Sequence, residues 1–69
     1  MGDMILLEEF ITRSGISYTN IAKALNITYV GLRNKLKGKY AFTLKEALKL
    51  KRLLDLTQNE WNAVFDLED

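Results

Sequence analysis

The side chains that ordinarily carry out catalysis are scarce in this chain. Histidine and cysteine are both missing. Their absence removes the usual general base near neutral pH, the thiolate nucleophile, the disulfide and the common zinc ligands. Ser14 and Ser17 are the only serines, and no imidazole exists to activate either. The glycines at 2, 15, 31 and 38 fit neither a phosphate-binding loop nor a dinucleotide fingerprint. Glu8 and Glu9 are adjacent, so on a helix they diverge instead of converging on a substrate. The expectation is a chain that is not an enzyme and needs no metal or cofactor.

What the residues can do is hold a polyanion. On a helix, Tyr29, Arg33 and Lys37 recur at i, i+4 and i+8 and form one stripe, with Val30 and Asn34 beside it. Arginine makes paired hydrogen bonds to guanine and asparagine makes them to adenine, both in the major groove. Tyr29, Val30, Arg33 and Asn34 are therefore the candidates for base edges. Tyr18, Asn20, Thr28, Lys35, Lys37, Lys39 and Tyr40 are the candidates for phosphates, a role that suits lysine because it is a mobile point charge. Charge is distributed to match. Residues 1–32 sum to −1, residues 33–52 to +7 and residues 53–69 to −5, within a net charge of +1. A basic block between acidic ends suggests a positive surface directed at a polyanion. Lys45, Lys49 and Arg52 fall on what reads as a solvated face, where they add only long-range attraction.

Helices must position these groups. Met4 to about Arg13 carries Leu6, Leu7, Phe10 and Ile11 at helical spacing behind Asp3, a capping residue, and Ser14-Gly15 reads as its stop. Ser17 caps a second helix through Ile21, Ala22 and Leu25 to a turn at Asn26, which tolerates the left-handed conformation. Thr28 opens a third, with Leu32 and Leu36 inward, that stops at Gly38. Thr43 and Glu46 fit a capping box for a fourth helix running to about Leu54. Thr57 and Glu60 fit another for a fifth, carrying Trp61, Val64 and Phe65. No window alternates as a sheet strand does. The reading is all-α: five short helices in a single domain over 1–69, with a helix-turn-helix at about 18–37. Ala22 supplies the small residue where two steeply crossing helices touch.

The chain resembles the small phage Cro/repressor-like helix-turn-helix regulators, and more closely short phage-encoded regulators of Gram-positive bacteria. The resemblance rests on the runs 21–28 (Ile-Ala-Lys-Ala-Leu-Asn-Ile-Thr), 35–39, 42–46 and 54–61, and covers about residues 17–65. It implies a lambda-repressor-like DNA-binding domain whose third helix enters the major groove of operator DNA. Tyr18 stands where that family often has a phosphate-contacting glutamine, and Asn26 stands where it often has the turn glycine.

A domain this small has a marginal core, and with no disulfide to staple it a second copy is an available stabiliser. One recognition helix also reads few base pairs, so two half-sites are expected and with them a weak homodimer. Leu53, off the main apolar stripe of its helix, is one seam candidate. Trp61 and Phe65 are either core or seam. The N-terminus lacks the basic region of a signal peptide and no apolar run approaches a membrane span, so a cytoplasmic setting is expected. A different class of function stays open: an antirepressor that grips a phage repressor protein through the same helix surface.

Overall fold

Capping side chains fix where each helix begins. The computed structural model describes residues 3–65, which form five α-helices and no strand: α1 (Met4–Ser14), α2 (Tyr18–Leu25), α3 (Tyr29–Leu36), α4 (Leu44–Leu53) and α5 (Gln58–Phe65). Asp3 accepts a hydrogen bond from the Leu6 amide at 3.0 Å, Ser17 from Asn20 at 3.1 Å and Thr28 from Gly31 at 2.9 Å. Each satisfies an amide that the helix itself leaves without a partner. Both capping boxes form. Thr43 and Glu46 exchange bonds of 3.1 and 2.9 Å, and so do Thr57 and Glu60.

The helix ends share one solution. At Asn26, Gly38 and Asp55 the backbone turns left-handed, with φ of 60°, 81° and 53°. The next amide then reaches back to a carbonyl one turn inside the helix: Ile27 to Ala22, Lys39 to Asn34 and Leu56 to Lys51, at 2.9–3.0 Å. This closes the last turn and reverses the chain. After α1 the backbone also turns left-handed, at Gly15 with φ 75°, but the next amide, of Ile16, goes to Ser14 Oγ, which itself donates to the Ile11 carbonyl.

The apolar stripes meet in one core. Leu7 and Ile11 of α1, Ile21, Ala22 and Leu25 of α2, Leu32 and Leu36 of α3, Ala47 and Leu50 of α4, and Trp61 and Val64 of α5 are buried together with Leu54 and Leu56. Helix α2 packs on α3 and α4, while α1 packs on α3 and α5. The ends of the described chain are tied, because the Asp3 amide donates to the Val64 carbonyl at 2.6 Å. The Cα radius of gyration is 10.8 Å, close to the roughly 11 Å of a packed chain of this length. No helix among the described residues is long and apolar enough to cross a membrane.

Candidate nucleic-acid interface

Helices α2 and α3 are joined by residues 26–28 alone. Asn26 reverses the chain, Ile27 packs half-buried against the core, and the Thr28 hydroxyl starts α3. With Leu32 and Leu36 buried, the helical repeat turns Val30 and Asn34 away from the core and puts Tyr29 and Arg33 on one flank, Lys35 on the other. Val30 is 65 % exposed and Tyr29 49 % exposed. Asn34 and Arg33 are half-buried.

Arg33 is held in place. Its guanidinium carbon lies 4.9 Å from the centroid of the Tyr18 ring, at the first residue of α2. Such stacking orders a long side chain that would otherwise lose rotamer freedom on binding. Two residues expected at separate contacts, a phosphate and a base, are thus one unit. The remaining phosphate candidates divide. Asn20, Lys37, Lys39 and Tyr40 are exposed, Tyr40 by 58 %. Thr28 is exposed, and its hydroxyl oxygen accepts the Gly31 amide.

Lys35 lies elsewhere than the sequence suggested. Its ammonium sits 2.5 Å from Glu46 Oε1 on α4 and 5.7 Å from the Phe42 ring centroid. Residue 35 is on the flank of α3 that faces the start of α4, and its charge is paired there within the molecule. The seam candidates lie in or against the core. Trp61 is buried, and its indole N–H donates to the Ala47 carbonyl at 2.9 Å, so it belongs to the core. Leu53 is half-buried against that core, and Phe65 meets Phe42 edge-on with ring centroids 5.9 Å apart.

The basic block is only partly available to a ligand. Lys51 donates to Gln58 at 2.6 Å and lies over Trp61, and Lys49 reaches the Ala24 carbonyl at the end of α2 at 3.3 Å. The acidic residues Asp66, Glu68 and Asp69 lie outside the described residues.

Two carboxyls respond to their surroundings. Burial pushes the Glu46 carboxyl upward, but the hydrogen bonds from Lys35 and the Thr43 amide, with the Lys35 charge, outweigh it and hold the group below its ordinary value. Glu60 is lowered by the Arg13 hydrogen bond at 3.0 Å, then by the Thr57 amide. Each capping-box glutamate therefore also takes a cation from an earlier helix. The sequence carries the capping boxes in plain view. It has no signal for the cations, which are 11 and 47 residues away, nor for the stacking of Arg33 on Tyr18.

No family model, curated protein or solved structure matches this chain.

Proposed function

We propose that this protein is a transcriptional regulator of the phage Cro/repressor type, a lambda-repressor-like helix-turn-helix domain that binds operator DNA as a homodimer in a bacterial cytoplasm. The observation that supports this most is the outward side of α3, where Arg33, stacked on Tyr18, stands beside Asn34, Val30 and Tyr29. Arginine and asparagine are the side chains that make bidentate contacts to guanine and adenine. They are carried on a short helix after a three-residue turn, with Lys37, Lys39 and Tyr40 following at its C-terminal end. In this reading α3 lies in the major groove, and Tyr29, Val30, Arg33 and Asn34 meet base edges. Asn20, Lys37, Lys39 and Tyr40 hold phosphates on either side. No cofactor is required and no catalytic step is assigned.

Selection of duplexes from a random pool, followed by salt titration of the winners, tests the reading. A single preferred motif is expected, with affinity that falls steeply as salt rises, because each neutralised phosphate releases a counterion. Arg33→Ala is expected to weaken that duplex by roughly 1–3 kcal/mol and relax preference at one base position. Lys39→Ala is expected to weaken all duplexes alike and flatten the salt slope. Failure to enrich any duplex at about 50 mM salt sinks the reading.

The exposure of Val30, Tyr29 and Tyr40 favours a second reading, an antirepressor that covers α3 with a phage repressor protein. Apolar side chains at the centre of a patch with charges at the rim are the anatomy of a protein interface. Such a complex is expected to resist salt, in contrast to a duplex.

A further inference from the structure

Two helix faces on opposite sides of the charge balance lie uncovered, and the internal ion pairs have sorted them. On α1 the charged residues are Glu8, Glu9 and Arg13. Arg13 is engaged with Glu60 at 3.0 Å, which leaves the outward side of α1 acidic around Ile5, 73 % exposed. On α4 the only carboxylate is Glu46, and it is turned to Lys35. The outward side of α4 is left with Lys45 and Arg52 around Leu44 and Leu48, which are 66 % and 48 % exposed. In each helix the one charge of the opposite sign is paired within the molecule, Glu46 covered and Arg13 still 53 % exposed, and an exposed aliphatic group remains beside charges of a single sign.

We propose that these two faces bind each other between copies of this chain, α1 of one molecule against α4 of the next. Spacing agrees with charge. Ile5 and Glu9 are one turn apart on α1, as Leu48 and Arg52 are on α4. In a parallel alignment Ile5 meets Leu48 while Glu9 meets Arg52. The helices have 11 and 10 residues, so both present roughly 15 Å of face. The contact is head-to-tail, leaving one acidic and one basic face free at the ends of each assembly, so it grows into short chains. On DNA it would line up copies on successive sites. The contact uses none of the residues on the outward side of α3 and stands whether or not the protein binds DNA. It also differs from a seam built on Leu53, Trp61 and Phe65.

Sedimentation velocity of the isolated protein tests this. At about 50 mM salt the mean mass is expected to rise with concentration, and at about 500 mM salt this rise is expected to disappear, since exposed charges are then screened. The double variants Glu8→Lys/Glu9→Lys and Lys45→Glu/Arg52→Glu reverse two charges on one face each, leaving Lys49 on α4 as it is. Each is expected to weaken self-association about tenfold or more, because like charges are then juxtaposed. Glu9, Lys45 and Arg52 are exposed and Glu8 is half-buried, and unchanged helical circular dichroism checks that both variants fold. Mixing the two variants restores opposite charges across the contact, so association is expected to return in a 1:1 mixture. A strict monomer at every concentration at low salt overturns the proposal. So does association that neither double variant weakens, or a mixture that stays as dissociated as its components.

Discussion

Gly31 sits inside an eight-residue helix, between Val30 and Leu32, and its replacement by alanine separates two accounts of why it is there. Glycine in a helix interior is less favourable than alanine by about 0.5–1 kcal/mol. Its φ is not positive, so nothing in the backbone requires glycine. The opposing term is steric. A Cβ at residue 31 would meet Thr28 Oγ1 at 3.1 Å and nothing else within 4 Å. That oxygen is the α3 cap, 2.9 Å from the Gly31 amide. In α2, α4 and α5 the equivalent position holds Asn20, Glu46 and Glu60, all with a Cβ, and there the cap bond is 3.1 Å. Thr28 is exposed and can yield by that margin. Gly31→Ala is therefore expected to stabilise the fold by about 0.5–1 kcal/mol, which raises Tm by roughly 3–6 °C for a domain of this size. Thermal and urea melts followed by circular dichroism measure it. The duplex affinity is expected to stay within about twofold, a shift well under 1.4 kcal/mol. A lower Tm refutes the cap argument. A higher Tm combined with much weaker duplex binding refutes the view that Gly31 is only a tolerated weakness and places a backbone close to it.

Asp55→Gly is expected to stabilise the protein by about 1 kcal/mol, because it relieves a left-handed residue with φ 53° and removes a carboxylate from the C-terminal end of α4. Asp55→Asn is expected to recover only the charge part of that gain in the same urea melts. Glu46 and Glu60 have folded-state pKa values below their ordinary ones, so the stability they supply is complete above the unfolded carboxyl range. It is lost as pH falls through the lowered values. The urea midpoint is expected to drop between about pH 5 and pH 3, and Glu46→Gln is expected to flatten that drop while lowering stability at pH 7. Trp61→Phe is expected to cost roughly 1–3 kcal/mol in the same assay, through the lost indole hydrogen bond to Ala47 and an unfilled part of the core.

Local order was legible in the sequence because local order has local causes. Asp3, Ser17, Thr28, Thr43 and Thr57 each act on an amide three residues away, and Gly15, Asn26 and Gly38 end helices through their own backbone angles. The core stripe of Ile21, Leu25, Leu32 and Leu36 follows from helical spacing alone, and all four are buried. Asp55 was missed as a helix stop, since aspartate adopts the left-handed conformation less readily than glycine and gave no comparable signal. What the tertiary structure decided are the meetings of distant residues: Arg13 with Glu60, Lys35 with Glu46, the Trp61 indole with Ala47, and Arg33 with the Tyr18 ring. Lys35 and Lys37 are both lysines on one short helix, yet one is half-buried against a carboxylate and the other exposed. Their types are identical, so composition cannot separate them. The direction in which each leaves α3, and whether α4 stands there, assigns one to the fold and leaves the other to solvent.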